Sequence, residues 1–345
     1  MERIQNFHLA IDWKLISAIS TIDRFDASWS SIEKTEGTSL KQLRSIATVR
    51  SVGASTRIEG SRMSDEEVDM LLQNIDLTKL EDRDAQEVAG YFNVLDLIID
   101  GAESIPVSEN SLKNLHNQLL KHSTKDQWHK GNYKQHSNSV EAVLPDGSKQ
   151  IVFETTPPGF ETEDAMRGMI DWYRADSETH PLVKCALFSY EFVSIHPFQD
   201  GNGRLSRLIS TLLLLKNGYS WIQYVSFEHE IENRKSEYYK QLRSAQAQRP
   251  NEDVSDWIHF FLGALIKIQT QLIDKLEMSG LSSGLSPKRK SILAFISDHA
   301  GASSGTIAER LNIPSPTVKR ILKELTEQNL IEKHGTGRGT NYSLR

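Results

Sequence analysis

The sequence predicts a mainly α-helical protein that carries one short β-hairpin and a small winged-helix domain at its C-terminus. Three observations lead there. Apolar residues recur at helical spacing through much of the 345 residues. A single clear turn signal, Pro145-Asp146-Gly147, separates the β-prone segments VEAVL and KQIVFET, which predicts a hairpin between Val140 and Phe153. The charge balance also changes after the glycine- and serine-rich stretch Ser279 to Gly284: the chain nets −6, yet residues 286–345 hold ten Lys or Arg against five Asp or Glu. The tail is therefore basic by about +5 and the remainder acidic by about −11.

Each element has a local reason. Leu40 to Ile58 places Leu43, Ile46, Val49 and Val52 at helical spacing, and Gly60 supplies a C-cap just beyond. Ser64-x-x-Glu67 is a capping box that opens a helix through Leu72. Leu182 to Ile195 is strongly apolar, with Val183, Ala186, Leu187, Tyr190 and Val193 on one side, and Pro197 stops it. Arg204 to Leu215 forms the next helix. In the tail, helices are expected over 287–299, 304–312 and 316–329. Leu330 to Lys333 and Gly335 to Leu344 follow as a β-wing.

The loop between the two apolar helices carries the chemistry. His196-Pro-Phe-Gln-Asp-Gly-Asn-Gly-Arg204, continuing to Arg207, holds a base, an acid, two glycines and two arginines in twelve residues. Gly201 and Gly203 permit a backbone nest of N–H groups at a helix N-terminus, where phosphate is the expected guest. Arg204 and Arg207, three apart, both reach a polyphosphate. Asp200 suits Mg2+ bridging phosphate oxygens, and a neutral His196 accepts a proton from an attacking hydroxyl. A turn that only reverses the chain, with Asp200 or Asn202 as cap and both arginines solvated, accounts for a lone Gly-x-Gly but not for the whole string.

This string resembles the defining motif of the Fic family (filamentation induced by cAMP), H-x-F-x-[DE]-G-N-G-R-x-x-R, which His196, Phe198, Asp200, Gly201, Asn202, Gly203, Arg204 and Arg207 meet at every fixed position. The resemblance implies a Fic helical bundle with a short β-hairpin flap. It also implies transfer of AMP from ATP to a Ser, Thr or Tyr hydroxyl of a protein, with pyrophosphate leaving and self-modification included. His196 is then the base, and Asp200 holds magnesium. Gly201 to Gly203 cradle the phosphates, Asn202 meets the α-phosphate, and Arg204 and Arg207 meet the β- and γ-phosphates. A related branch that phosphorylates has lysine where this chain has Gly203, so this sequence does not match it.

Three further strings gain meaning beside that motif. Ser55-Thr-Arg-Ile-Glu59-Gly60 resembles the family's inhibitory motif, [ST]-x-x-x-E-[GN], which implies that Glu59 pairs with Arg207 and restrains ATP binding. The hairpin resembles the flap that registers the target hydroxyl, an edge strand being able to hold an extended segment. Gly131-Asn-Tyr133 and Pro157-Pro158 resemble family landmarks on either side of it. Asn233 to Gln246 resembles the segment that closes over adenine, with Tyr239 flanking the base, although Gln246 stands where many members have asparagine. In the tail, Thr306 to Leu322 resembles a helix-turn-helix with Thr317, Lys319 and Arg320 opening the recognition helix, and Arg338 in the wing reaches phosphate or the minor groove.

The expected domains are an N-terminal inhibitory region over 1–100, a catalytic core over 101–280 and a winged helix over 285–345. Expected partners are a protein substrate, DNA or a protein bound through 286–345, and a second copy in a homodimer. MERIQNFHLAIDW lacks an apolar leader core and LISTLLLL is too short to span a bilayer, so a soluble cytoplasmic protein without membrane contact is expected. The single Cys185 excludes an intramolecular disulfide, and its apolar helix assigns it to the core. His116, His122, His129 and His136 lack zinc spacing. Two rivals remain: a DNA-binding regulator whose core senses nucleotide, and an enzyme that transfers another nucleotide or phosphate-linked group.

Overall fold

The computed structural model describes residues 7–35, 37–74, 80, 82–143, 149–281, 287–327, 330–335 and 337–345. The chain divides into two units, Met1–Thr270 and Gln271–Arg345. No helix among the described residues is long and apolar enough to cross a membrane.

The first unit is built around two helices whose sequences are apolar on nearly every face. Helix α7 (Pro181–Ile195) buries every residue from Leu182 onward except Lys184. Periodicity predicts a one-sided stripe, but neighbours cover this helix all round, which is why Ser189 and Ser194 are buried too. Helix α8 (Asn202–Lys216) packs against it and buries Leu205, Leu208, Ile209, Leu212 and Leu213. Each such side chain taken fully from water contributes about 1.5–3 kcal/mol.

Other helices wrap this pair. Helices α1 (Trp13–Thr35) and α2 (Gly37–Ile58) come first, and α2 buries Leu40, Leu43, Ala47, Val52 and Ile58 while leaving Ile46 and Val49 half-buried. Helix α3 (Asp65–Gln73) opens with the expected reciprocal cap between Ser64 and Glu67. Helix α4 (Arg83–Gly101) packs on α2 and α8 and is followed by α5 (Glu109–Leu119) and α6 (Phe160–Ala175). Short helices α9 (Phe227–Asn233) and α10 (Lys235–Gln246) precede α11 (Ser255–Leu281), where Trp257 donates from its indole to Ala186 O at 2.8 Å.

The hairpin forms as expected in its strands. Strand β1 (Ser139–Val143) pairs antiparallel with β2 (Lys149–Glu154), with an irregularity between Val140 and Glu141. Its turn, Pro145 to Gly147, lies outside the described residues.

The second unit contains α12 (Pro287–Asp298), α13 (Ser304–Arg310), α14 (Ser315–Glu327) and the antiparallel pair β3 (Ile331–His334) and β4 (Asn341–Leu344). Ile292, Ile296, Ile307, Val318, Leu322, Leu325 and Ile331 form its core. This is a winged helix, with α14 exposing Lys319 and Arg320. The side chain of Arg338 lies outside the described residues, as do residues 282–284 of the predicted linker and the helical end at 328–329.

Candidate active site

Helix α7 stops because Pro197 has no N–H to continue it. His196 caps the end in the left-handed conformation, φ 54° and ψ 59°, and its N–H donates to Phe192 O at 3.0 Å. The ring Nδ1 lies 3.1 Å from Val193 O, which places the hydrogen on Nδ1 and leaves the Nε2 lone pair available. Burial lowers the imidazole to about 4, with the Lys134 ammonium acting the same way and Val193 O, Glu59 and Asp200 opposing. The imidazole is neutral at pH 7.

The following loop differs from expectation at one glycine. Gly201 takes φ 80° just before α8 begins, as a tight phosphate-binding turn requires. Gly203 instead sits in the first turn of α8, outside the left-handed region. Its missing side chain answers a close approach: a Cβ there would lie 2.4 Å from Glu59 Oε1. The nest therefore consists of the Gly201 turn plus the free N–H groups of the first helical turn.

Asn202 is buried, and its side chain closes on one backbone unit, with Oδ1 accepting from Phe198 N at 2.9 Å and Nδ2 donating to Phe198 O at 2.7 Å. Its side chain thus holds the loop. Asp200 accepts from Gly201 N at 2.6 Å, from Lys125 Nζ at 3.2 Å and from Arg204 Nη2 at 3.3 Å. Burial pushes this carboxyl up, but Arg204 and Lys125 outweigh it and hold it at about 2. An ionised carboxylate, 38% exposed, suits a hard cation whose other ligands are phosphate and water oxygens.

The two arginines part company. Arg204 forms ion pairs through Nη1 with Glu87 and through Nη2 with Asp200, both at 3.3 Å, while its buried Nε has no hydrogen-bond partner among the described residues. Arg207, 2% exposed, turns to α2: Nε donates to Ser55 Oγ at 2.8 Å, and Nη2 donates to Ser55 O at 3.0 Å and to Glu59 Oε1 at 2.8 Å. Burial alone pushes Glu59 up, but Arg207 and then Arg204 hold it below its ordinary value. Helix α2 ends at Ile58, and Gly60 turns the chain with φ 105°. Arg57 anchors that corner to Glu232 at 2.7 Å and to Asp65 at 2.8 Å.

On the other flank, Tyr239 is half-buried with its ring edge-on to Tyr238, and Arg243 lies over it at 5.5 Å. Gln246 is buried and donates to Ser194 Oγ at 3.0 Å, so its amide nitrogen braces the helix that bears the base.

Sequence reasoning passed over several groups here. His116, fully buried, is stacked on Phe198 at 3.8 Å, with Nε2 2.9 Å from Asp200 O and Nδ1 accepting from Gly131 N at 2.9 Å. Glu87 is the buried partner of Arg204, Tyr91 donates to the buried Glu228 at 2.8 Å, and Lys134 lies beside the base. Their one signal was a polar residue on an otherwise apolar helical face, which Glu87 and His116 show and Lys134 does not.

The model of the Fic/DOC family matches residues 106–214, and that of the MarR family matches residues 283–339. A Fido domain-containing protein of Dictyostelium discoideum is 30% identical over 120 residues, which cover 34% of this chain and 80% of that protein. A Nematostella vectensis protein named protein adenylyltransferase Fic is 31% identical over 128 residues, 36% of this chain but 28% of its own length. The match thus spans under a third of that relative. The crystal structure of a Fic family protein from Desulfovibrio desulfuricans superposes with a TM-score of 0.62 at 23% identity, covering 97% of both chains. The fold is shared.

Proposed function

The chain belongs to the Fic/DOC family, and on that premise we propose that it transfers AMP from ATP to a Ser, Thr or Tyr hydroxyl of a protein, its own included, under restraint by Glu59. The observation that carries this reading is a neutral imidazole fixed at the C-terminal end of α7, one short loop before the N-terminus of α8, whose first two turns carry two buried arginines.

The incoming hydroxyl oxygen bonds to the α-phosphorus as the bond to pyrophosphate breaks, and its proton passes to His196 Nε2. The Gly201 turn and the N–H groups of Asn202 and Gly203 receive the developing negative charge. Arg204, whose Nε makes no hydrogen bond among the described residues, meets one of the outer phosphates, and Arg207 meets the other once Glu59 lets go. Asp200 would hold magnesium, which screens phosphate charge. Tyr239 and Gln246 fall to the adenine side. Little covalent work is asked of the protein, because positioning and charge supply most of the rate.

The reading includes the division into an inhibitory region over 1–100, a core over 101–280 and a winged helix over 285–345. It also includes a cytoplasmic location and assembly as a homodimer. The MarR match favours a second activity, DNA binding through 286–345 with Lys319 and Arg320 at the groove.

The test is label transfer from α-labelled ATP with magnesium by wild type, Glu59→Gly, and Glu59→Gly with His196→Ala, on the protein itself and on a lysate. Label that appears with Glu59→Gly and vanishes in the double variant is expected. No label in any lane, from folded protein that binds ATP, rejects AMP transfer and leaves a nucleotide-sensing regulator.

A further inference from the structure

Lys134 is 2% exposed, and the partners of its ammonium are neutral. Nζ donates to Asn138 Oδ1 at 2.8 Å, to Thr155 Oγ1 at 2.8 Å and to Ile195 O at 3.2 Å. Three donors thus meet three oxygens, which is the condition for keeping a charge out of water at all. Desolvation still tells, lowering this ammonium to about 8.

The three oxygens belong to three different segments. Asn138 immediately precedes β1, and Thr155 immediately follows β2, so the two are the roots of the hairpin. They also bond to each other, Thr155 Oγ1 lying 2.5 Å from Asn138 O. Ile195 O is the last carbonyl of α7, where the helix dipole favours a cation, and the next residue is the base.

The backbone around Lys134 repeats the arrangement. Lys134 N–H donates to Pro197 O at 2.8 Å, and Asn138 Nδ2 donates to Phe198 O at 2.8 Å. Residues 134–138 therefore hold carbonyls on both sides of His196. That residue needs holding, because its left-handed backbone is one that side-chain-bearing residues rarely adopt.

We propose that Lys134 is a positioning residue whose buried ammonium fixes both roots of the hairpin to the end of the helix bearing His196, and so sets where a hydroxyl held on the hairpin meets the imidazole. The inference rests on the AMP-transfer reading. It assigns Lys134 no contact with ATP and no part in the proton transfer. Water, as an alternative acceptor of AMP, needs no hairpin, so hydrolysis of ATP to AMP reports on the base without the tie.

The experiment compares Glu59→Gly with Glu59→Gly carrying Lys134→Met, using α-labelled ATP and the protein's own hydroxyls as acceptor. Label transfer is expected to fall about ten- to a hundred-fold through kcat, as displacement of a reacting group demands. ATP affinity should hold within about two-fold, AMP release to water should fall less than transfer, and hairpin amides should exchange hydrogen faster. Equal labelling, or a parallel loss of ATP binding, hydrolysis and labelling, overturns the proposal while AMP transfer stands. Absence of label from Glu59→Gly itself overturns the AMP-transfer reading and the proposal with it. If Lys134→Met does not fold, Thr155→Val removes the hairpin's side of the tie, and its selective loss of protein labelling over AMP release decides the matter.

Discussion

Arg207 donates to Glu59 at 2.8 Å across 148 residues of chain, and the same guanidinium is held at Nε by Ser55 Oγ. Arg207 is 2% exposed, and Glu59 is the carboxylate that balances its charge. With Glu59 in place that anion is intramolecular, and under the proposed function a phosphate of ATP would have to displace it. Glu59→Gln is therefore expected to bind ATP about ten-fold more tightly, which is about 1.4 kcal/mol. Titration calorimetry on both proteins measures this, and equal affinities would count against competition at Arg207.

Gly203 and Glu59 are coupled by contact. A Cβ at 203 would lie 2.4 Å from Glu59 Oε1, although the position is otherwise helical. In the native background Gly203→Ala should destabilise the protein and loosen the Arg207 pair. In a Glu59→Gly background the same change should stabilise by about 0.5–1 kcal/mol, since alanine outperforms glycine within a helix. A double-mutant cycle by thermal denaturation reads the reversal, and additive effects would refute the contact.

The rate should be insensitive to pH where an ordinary histidine would titrate. Burial holds His196 at about 4, and Asp200 is held at about 2. Labelling by Glu59→Gly is expected to stay level from pH 8 down to about 5. An acid limb centred near 6.5 would contradict a buried neutral imidazole.

Stability should be sensitive over that range. His116, like His196, is lowered by burial from 6.5 to about 4. Between those values the unfolded chain binds more protons than the folded one, so stability is full above 6.5 and declines as the pH falls toward 4. Urea unfolding near pH 5.5 should show a linkage of about two protons from this pair, reduced by about one in His116→Gln. No change of slope in that variant would show that His116 is not buried neutral.

Much of this could be read from residues 196–207 and 55–60, because spacing along one loop and one helix end fixes which groups converge. The helices expected over 182–195 and 204–215, the capping box at Ser64 and the paired strands of the hairpin were equally readable, since each depends on local chemistry. What escaped depends on tertiary approach. Gly203 reads as a turn glycine, but its smallness answers a carboxylate from another helix. The sequence also does not announce that the Asn202 side chain closes on the Phe198 backbone. Nothing near Lys134 in sequence announces Ile195 O or Thr155 as its partners.

Cys185 is the chain's one cysteine, fully buried in α7, and burial pushes its thiol up to about 12. Thiol-directed reagents act on thiolates they can reach, so the native protein is expected to be silent toward maleimides and spin labels. A cysteine introduced on the hairpin or on the recognition helix would be the single reactive thiol, with no need for a cysteine-free background. Fluorescence or distance measurements on this protein can therefore start from one substitution.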